Sequence, residues 1–178
     1  MGLEKYRKKS PWILHYNCGS CNGCDIEILA AMSPKYDLER FGILNNGNPK
    51  QSDIFLVTGP LTYRSRERLI ELYTAMPEPK VVVAVGSCTC TGGVFSDMYN
   101  VENGIDSYIP VDVYIPGCAA SPELIIDGVV KGLEILEKKT KEIEKPKKLL
   151  GKLDEKEETI NRTRFAGNIL GKDDETSN

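Results

Sequence analysis

The sequence predicts an α/β fold built on a mainly parallel sheet. Three observations support this. Strand-like and helix-like segments alternate along the chain. The run Lys80–Val85, KVVVAV, is continuously apolar, as a strand covered on both faces must be. The 178 residues, 40% of them apolar, suffice for one domain with a single core and a tail.

The elements follow in order. Trp12 to Tyr16 is apolar and β-prone and reads as the first strand. Asp25 to Met32, DIEILAAM, reads as a short helix that Pro34 ends. A weaker extended stretch lies around Phe41 to Leu44, before the turn-rich NNGNPKQSD. Ile54 to Thr58, IFLVT, is a short buried-type strand stopped by Gly59-Pro60. Arg64 to Met76 sets Leu69, Ile70, Leu72 and Tyr73 on a helical stripe, closed by Pro77 and Pro79. Val111 to Ile115 is the next strand, and Pro122 to Lys138 repeats at helical spacing through Leu124, Ile125, Val129, Leu133 and Leu136. The expected organisation is an N-terminal extension over 1–9, a domain over 10–138 and a charged extension over 139–178.

Composition excludes several classes. A net charge of −3 offers no basic face for nucleic acid. No apolar run reaches the ~18 residues of a membrane span, and MGLEKYRKKSPW lacks the apolar centre of a secretory signal. The chain is expected on the cytoplasmic side, where thiols stay reduced. The six cysteines therefore point to metal or redox chemistry before disulfides.

The cysteines fall into three groups: Cys18, Cys21 and Cys24; Cys88 and Cys90; and Cys118. Each group directly follows a predicted strand. Ligands of open α/β sheets sit beyond the carboxyl ends of the strands, so the three groups are expected to meet there. Glycines flank them, where backbone must turn sharply or approach closely. Cys21 and Cys24 have the C-x-x-C spacing that lets two thiolates share one metal centre, and a four-iron cluster needs four thiolates. Zinc is the competing ion, making the chain a zinc-stabilised interaction module. Spacing alone leaves Cys18 and Cys90 open as ligands. Nucleophilic thiol chemistry would need a base, and the single histidine, His15, is expected to be a core residue of the first strand.

Three motifs in this order, C-N-G-C-D-I-E (Cys21 to Glu27), G-S-C-x-x-x-G-G (Gly86 to Gly93) and P-G-C (Pro116 to Cys118), carry a resemblance. From about Ser10 to Leu136 the chain resembles the small subunit of membrane-bound energy-converting (group 4) [NiFe] hydrogenases. That family is related to the cluster-N2 subunit of respiratory NADH:quinone oxidoreductase. The resemblance implies a flavodoxin-like three-layer sandwich holding one [4Fe–4S] cluster on Cys21, Cys24, Cys88 and Cys118, proximal to the active site of a larger partner. It leaves Cys18 and Cys90 as buried or neighbouring thiols. The quinone-reducing branch carries two adjacent cysteines at the first position, which this chain lacks. Glu27 matches an acidic position near the cluster and subunit interface; its alternatives are a proton-path residue and a solvated or ion-paired carboxylate.

The implied partners are a hydrogenase large subunit bearing the nickel–iron centre, a ferredoxin-like subunit with further clusters, and membrane-anchor and ion-pumping subunits. The implied role is an electron relay to proton reduction coupled to ion translocation, at the cytoplasmic face of the membrane. The isolated chain is expected to turn nothing over. Sulfur-reducing and quinone-reducing complexes are the neighbouring readings.

Overall fold

The computed structural model describes residues 10–45 and 47–143. The chain divides into two compact units, Met1–Lys139 and Thr140–Asn178, and the fold described is that of the first. The expected extensions lie outside the described residues, apart from 139–143, which are helical.

Five strands form one parallel sheet: β1 (Trp12–Asn17), β2 (Leu44–Asn45), β3 (Ile54–Thr58), β5 (Val81–Val85) and β7 (Val113–Ile115). Their spatial order is β2-β1-β3-β5-β7, with Leu14 beside Phe55, Phe55 beside Val82 and Ala84 beside Tyr114. Counting only these strands, this is the flavodoxin-like order, with the direction of winding reversing between β1 and β3. Helices α1 (Gly23–Met32), α2 (Tyr63–Ala75), the short α3 (Ser87–Thr91) and α4 (residues 122–143) connect or follow the strands. A small antiparallel pair, β4 (Leu61–Thr62) with β6 (Val101–Glu102), lies apart from the main sheet.

Alternation along the central strands builds two cores. Ile54, Leu56, Val81, Val83 and Val85 face one side, where Ile28 and Ala31 of α1 and Ile125, Val129 and Leu136 of α4 cover them. Phe55, Val57, Val82 and Ala84 face the other, against Leu69 of α2, Met76, Ile105 and Ile109. A strand that buries both faces cannot alternate apolar with polar, and IFLVT and VVVAV do not.

The ends of α2 are set by side chains. Thr62 and Ser65 form a reciprocal capping box at its start. At its end Lys80, almost wholly buried, donates to the carbonyls of Tyr73 (2.8 Å) and Met76 (3.2 Å). The same Nζ lies 3.9 Å from the Tyr73 ring centroid. Replacing it takes the donor from two carbonyls at the end of α2, the Met76 one buried. Lys80→Met should cost about 2 kcal/mol of stability, read as a lower urea midpoint at unchanged slope.

Two expectations need adjustment. Phe41 ends a 3₁₀ turn (Leu38–Phe41), so β2 starts only at Leu44. His15 is half-buried, not a core residue: its Nε2 lies 2.9 Å from Asp25 and 3.2 Å from Thr58. The inward positions of β1 on either side belong to Ile13 and Leu14.

Candidate iron–sulfur site

Parallel strands release their chains at one edge. There β1 runs into Cys18–Cys24, β3 into Gly59-Pro60, β5 into Gly86 and α3, and β7 into Gly117-Cys118. The segments after β5 and β7 are stitched together: Gly86 N–H donates to Ile115 O (2.8 Å) and Ser87 N–H to Gly117 O (2.9 Å). The first cysteine segment leans on both. A Cβ on Gly23 would lie 3.4 Å from that of Ala119, and one on Gly86 only 2.6 Å from Cys24 Sγ. A Cβ on Gly59 would collide with the backbone of Ser20. Gly86, at φ 89° and ψ 153°, occupies backbone space that is essentially glycine's alone.

Cys21, Cys24, Cys88 and Cys118 all stand on the segments that leave the sheet at this edge. Burial pushes the Cys24 thiol up; the Ala120 backbone hydrogen bond pulls it back, and negative charge on Asp25, Cys21 and Cys118 raises it again. Burial also raises Cys88, followed by charge on Cys118, Cys24 and Cys21, with a hydrogen bond from the Val94 backbone opposing. Four thiols that repel one another once ionised form a donor set suited to a cationic centre. Cys21 and Cys118 are exposed, Cys24 and Cys88 half-buried, so the thiols line a surface and not a sealed cavity.

The surplus pair sits differently. Cys18 is 1% exposed within the second core, and burial pushes its thiol up to about 12. Its N–H donates to Thr58 O (2.9 Å) and its carbonyl accepts from Ser65 Oγ (2.7 Å), so it continues the strand pattern of β1. Cys90 stands two residues after Cys88 on α3, roughly 200° around the helix axis. It packs toward the second core, with Sγ 3.9 Å from Ala84 O. Burial again raises it, the Ile115 backbone opposes, and charge on Asp106, Cys24 and Cys88 adds to the rise.

Sequence reasoning missed Asp25. One oxygen accepts from Thr58 Oγ1 (2.6 Å) and lies 2.9 Å from His15 Nε2. The other accepts from Ser20 Oγ (2.5 Å) and Asn17 Nδ2 (2.7 Å). Burial alone would raise the carboxyl; the hydrogen bonds from Ser20 and Thr58, with His15, outweigh it and hold it below its usual range. No motif marks this residue, because its partners are scattered from position 15 to position 58. Glu27, singled out from the sequence, is half-buried on α1 and has no hydrogen-bond or ion-pair partner among the described residues.

Apolar side chains stand out of each segment that follows a cysteine group. Ile26 and Leu29 on α1 are each 62% exposed, and Val94 after α3 is 75% exposed. Tyr99 and, in α4, Leu124 add to them.

The thiols, their flanking glycines and the backbone donors of Ala120 and Val94 are residues that could hold an iron–sulfur cluster: soft sulfur ligands, closely approaching backbone and hydrogen bonds to sulfur. Among the described residues no three Cys, His, Asp or Glu side chains converge closely enough for a single metal ion. Nor is any helix among them long and apolar enough to cross a membrane.

Known proteins are similar to this chain in sequence and fold. The "Probable membrane-bound hydrogenase subunit mbhJ" of Pyrococcus furiosus is 50% identical over 139 residues, 78% of this chain and 83% of that protein. "Formate hydrogenlyase subunit 7" of Escherichia coli is 42% identical over 77% of this chain, which spans 54% of its length. Among solved structures, a chain of the membrane-bound sulfane sulfur reductase, an archaeal respiratory membrane complex, is 46% identical with a TM-score of 0.66, covering 75% of this chain and 74% of that one. A chain of an NAD+-reducing [NiFe]-hydrogenase, at 19% identity and a TM-score of 0.54 over 65% of this chain and 86% of that one, shares the fold. The sequence model of the family described as NADH ubiquinone oxidoreductase, 20 Kd subunit, matches residues 21–132, the span that carries Cys21, Cys24, Cys88 and Cys118. This chain belongs to that family, whose members above are subunits of oxidoreductase complexes.

Proposed function

We propose that the chain is the electron-transfer subunit of a membrane-bound hydrogenase complex, holding one [4Fe–4S] cluster on Cys21, Cys24, Cys88 and Cys118. The observation that carries this is the placing of those four cysteines on segments that leave the sheet at one edge and are hydrogen-bonded and closely packed together there. The cluster supplies one-electron transfer when bound. The chain's residues supply its setting. The backbone of Ala120 beside Cys24 and of Val94 beside Cys88 favours the ionised sulfurs, which would stabilise the reduced, more negative state. On the short α3, Cys90 stands roughly 200° around the axis from Cys88 and packs toward the second core.

The apolar residues around the thiols support a large protein partner at this face. Exposed Ile26, Leu29 and Val94 are costly in a free subunit but suit the apolar centre of an interface. That partner would bear the nickel–iron centre and reduce protons, with electrons entering from a ferredoxin-like subunit and ion-pumping subunits coupling the reaction. The chain itself would be peripheral, on the cytoplasmic face. Glu27, half-buried on α1 between Ile26 and Leu29, would lie at this interface, where it could pass protons.

The test is elemental. Full-length chain purified without oxygen should hold about four iron and four acid-labile sulfide, with an EPR signal on reduction. Zinc without iron would establish the interaction-module reading instead. The likeness to the sulfane sulfur reductase chain favours a second reading, the same relay in a sulfur-reducing complex. The intact complex would then make sulfide from sulfane sulfur and no hydrogen from reduced ferredoxin.

A further inference from the structure

We propose that Asp25 is the positioning residue of the thiolate site: it shapes the Cys21–Cys24 turn and fixes a negative charge beside Cys24 that keeps the cluster's potential low. The inference rests on the cluster reading above.

The turn between β1 and α1 has almost no hydrogen-bonded secondary structure of its own. Its first residues hang on Asn17, whose Oδ1 accepts from Gly19 N–H and Ser20 N–H, each at 2.7 Å. Asn17 Nδ2 and Ser20 Oγ both donate to one oxygen of Asp25, and Ser20 Oγ also accepts from Asn22 N–H at 3.0 Å. The other oxygen reaches the neighbouring strands through Thr58 on β3 and His15 on β1. Asp25 thus ties the cysteine turn to two strands at once. Both of its oxygens are taken by donors, which suits the charged form of the side chain.

The charge matters because of where it sits. Asp25 follows Cys24 directly, and the residue is largely covered, its side chain 13% exposed. A fixed negative charge near a cluster opposes the arrival of an electron, and little water screens it. Thr58 Oγ1 donates to the same carboxylate oxygen that lies 2.9 Å from His15 Nε2.

Asp25→Asn separates the two roles. The amide can keep most contacts, because the Ser20 and Thr58 hydroxyls can rotate to accept, but the charge is gone. In the full-length chain this variant should keep native iron and sulfide. Its midpoint potential should rise, so that the oxidised-to-reduced ratio at a fixed ambient potential falls about tenfold. Asp25→Ala removes the anchor as well. Its iron content should fall to less than half, and Gly19 and Ser20 amides should exchange on the order of tenfold faster even in metal-free chain. An unchanged potential in Asp25→Asn, with full iron content, overturns the charge role. Native amide exchange in metal-free Asp25→Ala overturns the anchoring role, and if Asp25→Ala does not fold, Ser20→Ala serves in that comparison. A native chain without iron or sulfide would instead sink the cluster reading, and the metal-free exchange measurement would still test the anchor.

Discussion

Cys118→Ser should leave the full-length chain folded and nearly free of iron, with less than a tenth of the native iron and sulfide. Cys118 is the single cysteine of its segment and is exposed, so no second thiol stands ready after β7 and little packing is lost with it. Serine preserves shape but offers a hard, largely protonated oxygen where a soft thiolate is needed. Cys18→Ala should behave in the opposite way. Cys18 is 1% exposed within the second core, so the variant should keep its iron and lose stability, by about 1 kcal/mol. Cys90→Ala should also keep its iron. Iron and sulfide counts beside urea unfolding distinguish these outcomes. Full iron in Cys118→Ser, or its loss in Cys18→Ala, would move the ligand assignment to a different set of thiols.

That contrast marks how far the sequence could be read. The spacing of Cys18, Cys21 and Cys24 is symmetric, since Cys18–Cys21 and Cys21–Cys24 are both C-x-x-C. Periodicity cannot choose between the pairs. The structure separates them because Cys18 N–H still bonds to Thr58, which turns its side chain into the second core, and the chain leaves the sheet only afterwards. The sheet itself was legible for a simple reason. IFLVT and VVVAV bury both faces, and a continuous apolar run of that length between turn signals leaves few alternatives. The meeting of the cysteine segments followed from parallel strands ending at one edge.

What stayed hidden depends on contacts between distant residues. The pair β4–β6 is two residues per strand, too short for any pattern. Helix α3 spans only Ser87–Thr91, in a glycine- and threonine-rich stretch that reads as loop. Its existence decides that Cys88 and Cys90 diverge. Asp25 was passed over for Glu27 because both are acids on one short helix. Only the fold reveals that His15, Asn17, Ser20 and Thr58 all turn toward the former.

Gly86→Ala should disable the site from the backbone side. At φ 89° and ψ 153° an alanine pays about 1–3 kcal/mol in backbone strain before any contact is considered. Its methyl would stand 2.6 Å from Cys24 Sγ and 3.5 Å from Gly117 O, wedged between the segments after β1 and β7. Neither can yield freely. Cys24, in the first turn of α1, packs against the first core, while Gly117 O accepts from Ser87 N–H, the next residue along. The sulfur must therefore leave its position beside Gly86. Expected are a stability loss of about 3 kcal/mol and the loss of most of the iron, measured by urea unfolding and iron–sulfide analysis. Gly47→Ala is the matched control, because a methyl there meets nothing within 4 Å. It should shift stability by no more than about 0.5 kcal/mol and leave iron content native. A Gly86→Ala chain with full iron would mean that the three segments are not packed around Cys24 as closely as this geometry requires.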